Sequence, residues 1–225
     1  MEAPTFLGML IPSIPPFVSY SWLAIILIII VSLIVRSNLK MVPAGLQNLM
    51  EVLVEFLQGQ ARTSIGHHWG DKFLPLLGTL FIYILVGNLF GLIPGFESPT
   101  SNVNVTFSMA IPVFFIYQYM GFKVHGIRYL EFFFGPIRSI YAIPFMLFMF
   151  VVEWITHLAR PLTLGVRLFG NMFGKHLLLM VLGILAPLIV PVAFLCLGTL
   201  VSVLQAYVFM LLTAVYIAGA VEEAH

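Results

Sequence analysis

Residues 17–35, FVSYSWLAIILIIIVSLIV, run for nineteen positions without a charge. A bilayer's hydrocarbon core is about 30 Å thick and takes about 20 apolar residues as α-helix. A helix this apolar on every face is buried on every face, in protein or in lipid. The pattern recurs down the chain. Of 225 residues, 61% are hydrophobic and 8% charged, and mean hydropathy is +1.08. Ordinary soluble domains carry about 25% charged residues. A water-soluble globule and a disordered chain are both excluded. The sequence reads as an all-α polytopic membrane protein, one membrane domain over 1–225, with room for five or six crossings.

Charge placement sets an orientation. The first span, 17–36, is followed by Arg36 and Lys40, with no Lys or Arg before it. Positive residues favour the cytoplasmic side, so the N-terminus is expected outside. Residues 1–16 lack the basic start of a secretory signal. A second span covers 73–93, edged by Asp71 and Lys72 and ended by GLIPG. Loop 94–103 carries Glu97 but no Lys or Arg and is expected outside. Residues 104–122 return to Lys123, Arg128 and Arg138. Seven of ten basic residues then fall in cytoplasmic segments.

Between the first two spans, residues 43–65 differ in kind. Leu46, Leu49, Met50, Leu53, Val54 and Leu57 recur at helical spacing, with Gln47, Asn48, Glu51, Glu55 and Gln58 between them. That is an amphipathic helix with an acidic face, lying at the cytoplasmic interface or packed on a partner. Pro43 suits its N-terminal end.

The stretch 137–187 is too long for one perpendicular span. As one helix it would run roughly 75 Å. It either crosses twice or runs strongly tilted. Pro187 and Pro191 precede a last long apolar helix, 192–221. No internal repeat is visible, which disfavours a symmetric inverted-repeat transporter.

The three remaining basic residues, Arg160, Arg167 and Lys175, lie inside that stretch with Glu153, His157 and His176. An ionisable group at membrane depth costs about 2.5–3.5 kcal/mol on insertion scales, so it marks function by default. At about 100° per residue, Glu153, Thr156, Arg160, Thr163, Arg167 and Asn171 share one stripe. The stripe rises roughly 27 Å, close to the hydrocarbon thickness. His176 lies about 180° from Arg167 and is expected to face another helix of the same chain. Pro161 interrupts the ladder near His157.

Guanidinium stays charged where desolvation would neutralise an ammonium. Arg167 therefore suits a fixed positive charge and not a proton carrier. A carboxylate brought near it loses its proton. No acid stands at i±3 or i±4, so the counter-charge is expected from another subunit. The competing readings are pairing with Glu153 through the fold, or snorkelling to an interface. Gln205, in VSVLQAYVFM, either bonds across helices or lines a water path. His67 and His68 lack further ligands at metal spacing, and Cys196 stands alone, so neither a zinc site nor a disulfide is indicated. No GxxxxGK[ST] motif is present, which excludes phosphate binding through that loop. Cofactors and metals are not expected.

RPLTLGVRLFGNMFGKH (160–176) followed by LQAYVFMLLTAVYIAGAVEEAH (204–225) closely resembles subunit a of F-type ATP synthases. VPAGLQNLMEVLVEFL (42–57) looks like that family's amphipathic helix. LFIYILVGNLFGLIPGFESPTSNVNVTFSMA (80–110) looks like its next two helices and loop. The resemblance implies five membrane-spanning helices plus the interfacial one, the last two a long tilted hairpin against a rotating ring of c subunits. It implies two offset aqueous half-channels and a non-catalytic role in proton transport. Its partners would be the c ring, the b subunits of the peripheral stalk and, indirectly, the catalytic head. Its location would be a bacterial inner membrane, N-terminus periplasmic and C-terminus cytoplasmic.

By motif position, Arg167 corresponds to the arginine separating the half-channels. Asn171 and His176 correspond to positions by the outer half-channel, Gln205 to the glutamine facing the arginine, and Glu153 to an acid near the cytoplasmic half-channel. The chain departs from many bacterial members, where an acid at the His176 position pairs with a His at the position of Gly198. Asn102 stands where some carry Asp. The inlet is thus expected to use one imidazole, amides and water, with Glu97 or Glu223 as alternative charged partners. The alternative function is a stand-alone ion channel or secondary transporter using the Glu153–Asn171 stripe.

Overall fold

The computed structural model describes residues 14–37, 39–93, 95–129, 143–185 and 189–221, with side chains at 145–182 and 194–221 in the last two helices. The readings placed on Arg138, Pro187 and Glu222–His225 lie outside the described residues. Six α-helices are described: α1 Pro16–Ser37, α2 Leu46–Ile65, α3 His67–Phe90, α4 Val103–His125, α5 Ile143–Leu185 and α6 Ile189–Val221. All but α2 are long and apolar enough to cross a membrane. The chain is an all-α polytopic membrane protein. Short 3₁₀ turns, Pro99–Ser101 and Gly126–Arg128, flank α4.

α5 is one continuous helix of 43 residues. Two perpendicular crossings would need a turn, and 143–185 contains none. At 1.5 Å per residue α5 is about 65 Å long, twice the hydrocarbon thickness. α6 starts with Pro191 in its first turn, where a missing N–H has no helical partner to lose.

The core sits where α6 meets the others. Ala206, Phe209, Met210 and Ala214 of α6 are buried against Leu57 and Ala61 of α2, Leu77, Phe81 and Ile84 of α3, Val105, Met109, Ala110 and Val113 of α4, and Leu164, Leu168 and Met172 of α5. Alanines on α6 let helix backbones come close, as small residues do in membrane packing. α1 is tied on by Tyr20 and Ala24 against Phe90, with the Tyr20 hydroxyl donating to the Gly95 carbonyl at 3.2 Å. Its other faces expose Ile25, Ile26, Leu27, Ile29, Ile30 and Leu33. Such an unbroken apolar surface is stable only in lipid or against a partner.

α2 and α3 form a tight hairpin about Gly66, whose φ of 88° suits glycine. A Cβ at Gly70 would lie 2.9 Å from the Arg62 backbone N and Cα. At the mouth of the hairpin Arg62 bonds both oxygens of Asp71, at 2.8 and 3.0 Å, which raises the guanidinium above its ordinary value. The Tyr207 hydroxyl donates to Gln60 Oε1 at 3.0 Å and joins α2 to α6. The apolar stripe of α2 divides: Leu57 is buried, whereas Leu46, Leu49 and Val54 are exposed. Gln47, which falls between the apolar positions of the helix, is buried. Its amide bonds the N–H and carbonyl of Lys40, at 3.0 and 2.9 Å, and so clamps the incoming chain.

Candidate functional site

Leu164, Leu168 and Met172 recur every four residues and press α5 onto the core. Arg167 and Asn171 each precede a buried residue, so they turn about 100° away from that seam. Both are exposed in the isolated chain. Asn171 reaches back to α6, donating from Nδ2 to Gln205 Oε1 at 2.6 Å. Gln205 is itself buried, at 4% exposure. Arg167 stands one turn from this bridge and makes no hydrogen bond or ion pair among the described residues. It does not meet Glu153, whose carboxylate is 3.4 Å from His157 Nε2. Fourteen residues of helix, about 21 Å, separate the two positions.

The exposed surface continues along α5. Ile155, Leu158, Leu162, Val166 and Phe173 are all exposed around the polar stripe. On α6, Leu197, Leu200, Val203 and Leu204 are exposed as well. The polar stripe thus lies within a broad apolar face that the described residues do not cover.

Lys175, which spacing alone left without a role, is the centre of a second polar cluster. It is half-buried and donates to Ser202 Oγ at 3.0 Å and to the Asn88 carbonyl at 3.3 Å. Asn88 is fully buried. Its amide nitrogen donates to the Ser202 carbonyl at 3.3 Å, and its oxygen accepts from Thr100 at 2.5 Å. Ser98 donates to the Gly87 carbonyl at 2.9 Å. The cluster runs from the loop before α4 into the α5–α6 pair. The group over Gly198 is Lys175, not His176: a Cβ at Gly198 would sit 3.2 Å from Lys175 Cδ and 3.1 Å from Leu92 Cδ2. His176 is half-buried and makes no hydrogen bond among the described residues. Asn102 caps α4, accepting from the Asn104 N–H at 2.9 Å.

The slot at Gly198 predicts coupling. Gly198→Ala lowers the heat resistance of the detergent-extracted protein, and Lys175→Ala relieves that loss, with a double-mutant coupling of about 1 kcal/mol. Additive effects of the two changes would show that the lysine does not occupy the slot.

A third cluster surrounds Glu153 and Arg160. Proline has no N–H, so Pro161 leaves the carbonyl of His157 without its helical donor. Tyr117 of α4 supplies one, its hydroxyl donating to that carbonyl at 3.1 Å. Arg160 lies over the rings of Tyr117 and Tyr216, at 5.8 and 5.4 Å. Sequence reasoning missed Tyr117, Asn88 and the seat of Lys175. Pro161 was the available signal for the first, and an asparagine inside the apolar run VGNLF for the second.

The described residues hold no group of three or more metal-ligating side chains. Comparison with known proteins supplies the family. A model of the ATP synthase A chain matches residues 18–218. The chain is 48% identical to "ATP synthase subunit a" of Trichlorobacter lovleyi, over 92% of this chain and 88% of that protein. It is 46% identical to the protein of the same name from Geobacter sulfurreducens, with the same coverage. Against "ATP synthase subunit a 2" of Syntrophotalea carbinolica the identity is 42%, over 92% of this chain and 86% of that protein.

Proposed function

The chain belongs to the ATP synthase A chain family, and from that premise we propose that it is the proton-translocating stator subunit of an F-type ATP synthase. It performs no phosphoryl chemistry. It supplies two offset half-channels that load and unload the carboxylates of a rotating c ring, with Arg167 as the fixed positive barrier between them. The observation that carries this reading is the state of Arg167: exposed, without an ion-pair partner among the described residues, on an apolar face of bilayer length.

An unpaired guanidinium on a lipid-exposed surface is costly. A partner that brings a carboxylate to that face removes the cost, and the charge then acts on the carboxylate. As the acid nears Arg167 its ionised form is favoured and the proton leaves. Once past, it is exposed to apolar surroundings, which favour the neutral form, and it takes up a proton again. Asn171 and Gln205 would line the approach beside Arg167. Lys175 and His176 stand further along α5 toward the outer side, and Glu153 toward the cytoplasmic side. A 65 Å helix fits this role if α5 and α6 lie strongly tilted against the ring. The peripheral stalk b subunits would hold the chain still, in a bacterial inner membrane, with the N-terminus periplasmic and the C-terminus cytoplasmic.

The test is passive conduction. The purified chain in liposomes carries no protons under an imposed potential. The assembled membrane sector containing it, with the c ring, conducts. Conduction by the chain alone would establish the stand-alone channel instead. Replacing protons by sodium in the same assay identifies the coupling ion.

A further inference from the structure

The third cluster has an internal order that fixes a proton. Tyr129 donates its hydroxyl to Gln118 Oε1 at 2.8 Å. The Gln118 amide nitrogen, which can only donate, lies 3.4 Å from His157 Nδ1. Nδ1 must therefore accept, so neutral His157 carries its proton on Nε2. Nε2 is the atom 3.4 Å from Glu153 Oε1. The Tyr117 hydroxyl, 3.5 Å from Nδ1, is already given to the His157 carbonyl at 3.1 Å. His157 is buried at 7% exposure, and Tyr129 at 5%. The Tyr129 ring owes its seat to Gly121, where any Cβ would overlap it.

We propose that Tyr129, Gln118 and His157 form a positioning relay that aims one N–H at the Glu153 carboxylate. This rests on the stator reading above, in which Glu153 serves proton exchange at the cytoplasmic side. His157 and Tyr129 are buried within the chain, and His157 lies ten residues before Arg167 on α5. The relay acts by fixing the tautomer of His157, and through it the orientation and proton affinity of Glu153. Among the described residues, the titratable and charged groups facing His157 are Glu153 and Arg160 on its own helix and Tyr117 of α4, with Tyr129 behind Gln118. Tyr216 of α6 closes the far side of Arg160.

The experiment is ATP-driven acidification of inverted vesicles carrying the whole complex, measured across pH. His157→Leu and Gln118→Leu move the pH profile by about one unit, a tenfold change in proton affinity. His157→Gln, whose amide can still donate to Glu153, stays near wild type. Tyr117→Phe, which removes the donor to the His157 carbonyl and a weak contact with Nδ1, lowers the heat resistance of the complex and moves the profile less than either leucine variant. An unmoved profile in assembled His157→Leu and Gln118→Leu complexes would overturn the relay, as would an equal movement in Tyr117→Phe. If His157→Leu does not assemble, half-buried Gln118 decides. If neither assembles, the residues are packing elements and the relay falls. Failure of the relay leaves the stator reading standing, since that reading is decided separately by Arg167→Ala.

Discussion

Arg167→Ala yields a complex that assembles with its ring and pumps no protons. The side chain is exposed and makes no hydrogen bond or ion pair among the described residues, so its removal costs the isolated chain little. In the proposed function, all that it does is done to the carboxylate that passes over α5. Without the charge, a protonated carboxylate meets no reason to release its proton between the two half-channels. Protons then leak across or the ring idles, and ATP-driven acidification of inverted vesicles falls to background. Arg167→Lys does not restore it. An ammonium on that apolar face neutralises when desolvated, whereas a guanidinium stays charged. Co-purification of the ring with the variant separates failed assembly from failed transport. Pumping near wild-type rates in an assembled Arg167→Ala complex would remove the central residue of the proposal and return the stripe to helix packing.

The second large effect is on architecture. Gly70→Ala places a methyl group 2.9 Å from the Arg62 backbone, where no side chain can swing aside. The α2–α3 hairpin must splay. Overpacking of this kind costs about 1–3 kcal/mol. Because Leu57 and Ala61 of α2 sit in the core with α6, the splay reaches the helix that carries Gln205. Gly70→Val is worse than Gly70→Ala. Gly59→Ala is the control: nothing lies within 4 Å of its Cβ position, and alanine in a helix interior gains about 0.8–1 kcal/mol over glycine. Heat resistance of the extracted complex therefore falls with one Gly→Ala change on this hairpin and rises slightly with the other. Equal behaviour of Gly70→Ala and Gly59→Ala would show that the two helices do not approach as closely as described.

The membrane class was written in the apolar runs, because the bilayer imposes one length and one hydrogen-bonding rule on every span. Hydropathy could not tell two spans from one long helix at 137–187, since both bury the same residues and only a turn distinguishes them. Arg167 was conspicuous by its cost. Its neighbourhood was less so. The Asn171–Gln205 bridge joins residues 34 apart in sequence, and no period along one helix reports it. Lys175 was visible as a charge, but its seat depends on Gly198 and on the Asn88–Ser202 bond, which only packing brings together. The burial of Gln47 was not legible, because besides Glu51 its partners are the backbone groups of Lys40, and backbone has no sequence signature. Tyr117 is a similar case: the vacancy it fills was announced by Pro161, yet the occupant comes from another helix.

The slot over Gly198 also orders history. A Cβ at position 198 lies 3.2 Å from the lysine stem and 3.1 Å from Leu92, so a larger side chain there crowds both, while loss of the stem relieves one of the two contacts. A lineage exchanging this arrangement for one with a large residue at 198 meets less crowding if Lys175 goes first. The reverse path starts from the glycine, with the lysine arriving into space already cleared. Of the two single-step intermediates, the one lacking both bulky groups is the less crowded. Ancestral sequences along either route are expected to pass through a pair of small residues.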